Sequence, residues 1–294
     1  MELIKHLKNV HEIVLKGKDI QIAILSDLHW DNPKCNRNLL KNHLDYCLKE
    51  NIPVIVNGDF FCLMQGKGDK RGNKSDIRPE HNNAKYLDSI VETAVEWFSP
   101  YAHILTVLGY GNHETAIIKY QETDILQRFV DLLNYKNKSN VMTGGYGGWI
   151  IIKQYLNKKM LSYKIKYFHG SGGGGVVTKG ALNLTRALEM YEGFDIFTMG
   201  HIHENSARHD VRDTVVYVPK NGYKLVQKEL HLMITGTYKE EYGDGSNGWH
   251  VERGAPIKPI GGRILNISIS RDLKQDKDEL IKHIDSIRFN KWEK

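Results

Sequence analysis

Short apolar runs alternate with amphipathic stretches along the first half of the chain. Residues 20–26 (IQIAILS), 53–59 (PVIVNGD) and 103–109 (HILTVLG) are continuous apolar runs ended by Gly or Asp, the pattern of buried parallel strands. Between them, residues 36–50 carry Leu39, Leu40, Leu44, Cys47 and Leu48 at helical spacing, and residues 84–98 and 122–134 repeat that spacing. Strands alternating with helices predict an α/β layered sheet.

The second half predicts mostly strand. Residues 147–156 and 160–169 flank Asn157-Lys158-Lys159 as an antiparallel hairpin, and residues 208–237 contain further hairpin signal around Asn221-Gly222. A helix is expected over 178–191 and a strand over 195–200. The tail reads as a strand (263–270) followed by an exposed helix (272–289). No repeat or linker divides the chain, so it is expected to form one domain over 1–294, with a motif-bearing core at 20–237 and a strand-helix tail at 238–294.

Composition narrows the class. Hydrophobic residues at 40% and charged residues at 26% exclude a disordered or collagen-like chain. No stretch approaches the roughly 18 apolar residues of a membrane span, and the N-terminus has no signal-peptide core, so no membrane partner and a cytoplasmic location are expected. Cys35, Cys47 and Cys62 form no CxxC, so neither a disulfide framework nor a thiolate zinc site is expected. The net charge of +6 has one address. Residues 132–168 hold seven lysines and no acid, interleaved with aromatics, a pattern that suits either a solvated hairpin or a nucleic-acid track.

The chemistry gathers at strand ends. Asp27-Leu28-His29 follows the first apolar run, Gly58-Asp59 ends the second, and Gly111-Asn112-His113-Glu114 follows the third. His169 ends the hairpin, and Gly200-His201-Ile202-His203 follows the strand at 195–200. Ligands bind beyond the carboxyl ends of strands in open α/β sheets, so these groups are expected to share one crevice. Asp27, His29, Asp59, Asn112, His169, His201 and His203 offer oxygen and nitrogen only. They are too many for one tetrahedral zinc and about right for two cations sharing a carboxylate, the clamp used for in-line displacement at phosphorus.

In this order and spacing the blocks resemble the calcineurin-like metallophosphoesterases, whose pattern is D-x-H, GD, GNH followed by E or D, a lone His, then GHxH. The resemblance implies a layered α-β-β-α sandwich with its metal site at the carboxyl ends of the strands. It implies one divalent ion held by Asp27, His29, Asp59 and His203, and a second by Asp59, Asn112, His169 and His201, with Asp59 bridging. Mn²⁺ is the first expectation, with Fe, Zn or Mg as alternatives. His113, together with Asn112, would serve catalysis, His113 contacting the phosphate or protonating the leaving oxygen. Glu114 or a backbone carbonyl would orient it. Lys67, Lys70 and Arg71, after Asp59, are expected to meet an anionic substrate, with Glu114 beside them.

Asp59 is followed by Phe60-Phe61, without the Asp-Arg pair of the phosphoprotein phosphatase branch. Gly-Asp-Phe-Phe is closer to the Gly-Asp-Leu-Phe of double-strand-break-repair exonucleases, although Glu114 departs from their aspartate. The expected activity is hydrolysis of a phosphodiester, DNA, RNA or nucleotide. Phosphomonoester hydrolysis and a non-catalytic metal-binding scaffold stay open. The run Gly170–Gly175 formally matches GxGxxG, but it comes late and directly after His169. A turn holding that histidine, or backbone N–H groups facing a phosphate, is expected rather than a dinucleotide site. Of the other histidines, His81 and His209 are the two expected to support the motif residues. No pattern in the chain encodes oligomeric state.

Overall fold

The computed structural model describes residues 1–63, 77–219, 221–243, 245–246, 249–272 and 279–289. Lys67, Lys70 and Arg71 therefore lie outside the described residues. In chain order the elements are β1 (Glu2–Leu7), β2 (Val10–Lys16), β3 (Asp19–Leu25), α1 (Arg37–Lys49), β4 (Val54–Asn57), α2 (Tyr86–Phe98), β5 (Leu105–Gly109), α3 (Asn112–Gln121) and α4 (Ile125–Asn137). There follow β6 (Met142–Thr143), β7 (Gly147–Leu156), β8 (Lys159–Phe168), α5 (Ala181–Met190), β9 (Ile196–Met199), β10 (Ser206–Val218), β11 (Gly222–Ile234), α6 (Trp249–Glu252), β12 (Arg263–Asp272) and β13 (Glu279–Arg288).

Two sheets result, ordered β1-β2-β7-β8-β9-β11-β10 and β13-β12-β3-β4-β5-β6. The apolar runs become the parallel strands β3, β4 and β5, buried on both faces as their unbroken hydrophobicity requires. Between the sheets lies a core of Ile22, Ile24, Ile55 and Val107 from one and Ile150, Ile152, Tyr163 and Ile196 from the other. Alternate residues of β3 and β4, Leu25, Val54 and Val56 among them, point the other way and pack under α1, α2 and α4. Helix α5 covers the outer face of the second sheet through Leu184 and Ala187 against Phe197 and Leu232. The layers therefore run helix, sheet, sheet, helix, the sandwich expected.

Three features depart from the sequence expectation. The charged N-terminal segment forms the antiparallel pair β1–β2, which extends one sheet through parallel pairing of β2 with β7. The GNHE block opens a helix of its own, α3, before the expected one. The tail's expected helix is instead strand β13, antiparallel to β12, with Arg263 opposite Arg288 and Ile267 opposite Ile284. Ile281, Ile284 and Ile287 recur at a spacing that mimics a helix. The open edge of β12 and the β-branched side chains favour the ladder instead. The glycine run does not open a Rossmann turn, because α5 begins only at Ala181, after Gly180 with φ of +84°.

Candidate metal centre

The centre is built on chain reversals at the ends of five strands. Asp27 and His29 follow β3, Asp59 follows β4, Asn112 and His113 begin α3 after β5, His169 follows β8, and His201 and His203 follow β9. Asp27, His29, Asp59, His201 and His203 all have φ between +45° and +68°. Left-handed backbone costs a non-glycine residue of order 1 kcal/mol or more and persists where the surroundings over-determine it. Here the strain turns each side chain back over the strand ends.

Adjoining backbone holds those reversals. Asp27 N–H donates to Gly58 C=O and His29 N–H to Asp59 C=O, each at 3.0 Å. Thr237 Oγ1 donates to Asp27 C=O at 2.8 Å. Gly58 must be glycine twice over, for its φ of +81° and because a Cβ there would collide with the His169 ring. A Cβ at Gly200 would collide with the Asp27 carboxylate.

The side chains fall into two groups, Asp27-His29-His203 and Asp59-His169-His201, each with its ligand-type atoms within 4.8 Å of one another. In the first, His203 Nε2 lies 3.3 Å from Asp27 Oδ1 and 3.4 Å from His29 Nε2. In the second, His169 Nε2 lies 3.2 Å from Asp59 Oδ2, and His201 Nδ1 lies 2.8 Å from Asn112 Oδ1. Asp59 joins the groups. Its Oδ1 accepts from His113 N–H at 3.1 Å, while Oδ2 stands 3.9 Å from both His29 Nε2 and His113 Nε2.

The donor set fits divalent cations. His169 is fully buried, and its Nδ1 donates to Asn57 C=O at 2.8 Å, which fixes the ring and turns Nε2 inward. Among the described residues, that Nε2 makes no hydrogen bond despite its 3.2 Å approach to Asp59, and buried His29 Nδ1 has no partner there either. Burial opposes charge on Asp59, but the imidazoles of His169 and His113 override it and hold the carboxyl well below its usual range. Burial likewise lowers His169, yet Asp59 more than offsets this and raises it to about 10. The carboxylate field that retains a proton there equally favours a metal cation in its place. His29 is driven down by burial and then by His113, leaving a neutral imidazole of the kind that ligates metal.

His113 sits beside these groups. Its Nδ1 donates to the carbonyl of Cys62, so Nε2 faces the centre, and its side chain keeps 11% exposure. Glu114 is placed differently from the sequence expectation. It is buried, with Oε2 accepting from Gly111 N–H at 2.8 Å and Oε1 from Phe61 N–H at 2.9 Å. It caps the Gly111 N–H at the start of α3, and burial, then Asp59, raises its carboxyl to about 8. The group that orients His113 is the Cys62 carbonyl.

Three supporting residues went unread in the sequence. Buried Asp31 accepts from Cys62 N–H and from Leu63 N–H at 2.9 Å, so it holds the peptide that meets His113. Asn57 Nδ2 donates to Phe168 C=O at 3.1 Å and Thr198 C=O at 3.3 Å, tying β4 to the opposite sheet. Cys62 lies among His29 and His113, with its thiol raised well above its ordinary value by burial and then by Asp31. The only sequence signal was the extension of Asp-x-His to Asp-x-His-x-Asp and of Gly-Asp to Asn-Gly-Asp. Asp31→Asn is expected to lower kcat about tenfold with metal content unchanged, as for loss of a hydrogen bond that positions a reacting group. Steady-state kinetics beside metal analysis checks this.

His81 is buried against Trp30 and bonded to Thr93 Oγ1 at 2.9 Å, so it supports the wall behind the first motif. His209 stands in β10, paired with Glu229, and takes no part in the centre.

Two sheets enclosing a carboxylate-imidazole cluster at their strand ends define a metal-dependent phosphoester hydrolase. The chain belongs to the calcineurin-like phosphoesterase family, whose pattern matches residues 20–205. Among solved structures it is similar to GAP50, the anchor in the inner membrane complex of Plasmodium. Identity there is 12% and the TM-score 0.44, with 94% of this chain and 90% of that chain covered. It is also similar to a Thermotoga maritima protein solved by NMR in solution, at 12% identity and TM-score 0.30, covering 91% and 99% of the two chains. No match was found among curated proteins. No described helix is long and apolar enough to cross a membrane.

Proposed function

We propose that the chain hydrolyses phosphodiesters, with Asp27, His29, Asp59 and His203 holding one divalent cation and Asp59, Asn112, His169 and His201 a second. When bound, such cations neutralise phosphate charge and supply an acidified water as nucleophile. Mn²⁺ suits the mixed nitrogen and oxygen donors, as do Fe, Zn and, less well, Mg. His113 delivers a proton from Nε2 to the leaving oxygen, while the Cys62 carbonyl holds its other nitrogen. The metal-dependent reading rests on one observation, the Asp59 carboxylate set between two imidazole groups.

The preference for a diester rests on the surrounding cations. Among the described residues, the first arginine after each of the first two motifs is turned away. Arg37 Nε donates to Trp30 C=O, and Arg78 donates to the carbonyls of Asn32 and Cys35. Neither is free to fork onto the dianion of a monoester. Cytoplasmic location remains the expectation from sequence.

Two sequence features that pointed to long nucleic acids are engaged elsewhere. Phe60 and Phe61 are fully buried, packed on Phe98 and Phe129, so the Gly-Asp-Phe-Phe block is core packing. In the basic hairpin, Tyr163 and Tyr167 are buried, Lys166 lies over the Tyr191 ring, and Lys153 pairs with Glu12 at 3.0 Å. The hairpin turn at Asn157-Lys158 begins ten residues from Gly147, about 33 Å along the strand from the centre. Nucleotide-sized diesters therefore fit better than long DNA or RNA.

A panel with Mn²⁺ tests this: bis-p-nitrophenyl phosphate, p-nitrophenyl phosphate, a cyclic nucleotide, single-stranded DNA and RNA. The diesters are expected to turn over at least about tenfold faster, by kcat/KM, than the monoester. The reverse order would assign the centre to monoesters.

A further inference from the structure

A second cluster of metal-type ligands lies outside the phosphoesterase centre, on the β10–β11 hairpin. His209 and His231 face one another directly across the two strands, and their rings stand 4.5 Å apart, edge to face. Glu229, two residues before His231, lies on the same face of the sheet. Its Oε1 is 3.2 Å from His209 Nδ1 and its Oε2 is 3.9 Å from His231 Nε2. All three ligand atoms fall within 4.8 Å of one another. Donors around a tetrahedral zinc ion, at about 2.1 Å from it, are about 3.4 Å apart, a spacing that these two distances bracket.

His231 is the buried member of the set, 4% exposed, and the Glu229 oxygen 3.9 Å from its Nε2 is too far to serve as a direct hydrogen-bond acceptor. Burial and then His209 lower its proton affinity, which leaves the neutral ring that metals take. Asp195 and Asp285 add negative field nearby. Glu229 and His209 are exposed, which gives an ion access from solvent.

The position has a mechanical meaning. Residues His231–Ile234 pair with β9, whereas residues 222–230 of β11 pair only with β10. His231 is therefore the last anchored residue before a two-stranded arm leaves the sheet. Such arms are marginal on their own. The arm exposes Val215, Tyr217, Tyr223 and Leu225.

We propose that His209, Glu229 and His231 bind one borderline divalent transition metal, of the Zn²⁺ class, which clamps β10 to β11 where the arm leaves the sheet. Two imidazoles and one carboxylate, with solvent completing the shell, match the donor preference of that class. The site shares no residue with the phosphoesterase centre, so either can fail alone.

The test uses the full chain and Zn²⁺ itself. Wild type, His209→Ala and Glu229→Ala are dialysed against micromolar Zn²⁺ and analysed for bound metal, while Mn²⁺-supported phosphodiester turnover serves as the check on folding. Both substitutions are at exposed positions. Wild type is expected to hold one Zn²⁺ more per chain than either variant, or to bind that ion at least about tenfold more tightly, with turnover equal in all three. Zn²⁺ should also slow amide hydrogen exchange in residues 211–218 and 223–229 of wild type only. Equal zinc content and affinity in the three proteins would overturn the proposal.

Discussion

Asp59→Asn is expected to abolish turnover, lowering kcat at least about a thousandfold and bound metal from two ions per chain to at most one. Asparagine is the most conservative replacement available at this position. It keeps the side-chain shape and an acceptor for the His113 N–H that Asp59 Oδ1 now binds at 3.1 Å. It also tolerates the left-handed backbone, with φ of +48°, that Asp59 adopts. What it removes is the charge that holds a proton on His169 and faces His29 from the other side. No other described carboxylate stands between the two imidazole groups, so the second group loses its carboxylate and the first keeps Asp27 alone. Metal analysis and turnover on one preparation check this, with circular dichroism to show that the sheets persist. A variant retaining both metals would show that the carboxylate is not shared.

His113→Ala is expected to give the second largest effect, a loss of about 10² to 10⁴ in kcat with metal content intact, the range for removing a general acid. The residue is second in α3, where alanine is an excellent helix former, so the scaffold should remain. The loss should also depend on the leaving group. A p-nitrophenolate departs readily without a proton, so bis-p-nitrophenyl phosphate should suffer least, and a diester of a sugar hydroxyl most. A uniform loss across leaving groups would assign His113 to phosphate binding instead. Loss of metal in the variant would make it a ligand.

The candidate centre was more legible in the sequence than the outer parts of the fold, for a physical reason. Ligating and proton-transferring groups must be particular residue types, and each here stands at the end of an apolar run, often after a glycine that lets backbone and carboxylate approach closely. Asp59 and His201 each follow a glycine in this way, and Asp27 follows Ser26 at the end of its run. Strands β1, β2 and β13 lack such a signature. β1 and β13 are edge strands carrying charge on exposed positions, β2 buries His11 and Glu12 between β1 and β7, and pairing with neighbouring strands, not local pattern, makes them strands. Residues that act through the backbone were also hidden. Asp31 holds a peptide and Asn57 staples two sheets, roles that leave no motif. Glu114 is the converse case: adjacency to His113 suggests substrate contact, whereas its carboxylate is spent on the N–H groups of Gly111 and Phe61. The glycine run after His169 is a similar case. It matches a dinucleotide fingerprint by composition, but the helix that would have to follow starts too late.

The arrangement also explains why two separate sheets are needed. One sheet delivers Asp27, His29, Asp59 and Asn112, the other His169, His201 and His203. Asn57 and Thr237 bond across the seam between them. Neither sheet alone completes either group of ligands.

Anomalous diffraction from crystals soaked in Mn²⁺ tests the central claim most directly. Two manganese peaks are expected, both contacting Asp59, one also reaching Asp27, His29 and His203 and the other Asn112, His169 and His201. A single peak, or two peaks with Asp59 bound to only one of them, would contradict a centre built around a shared carboxylate.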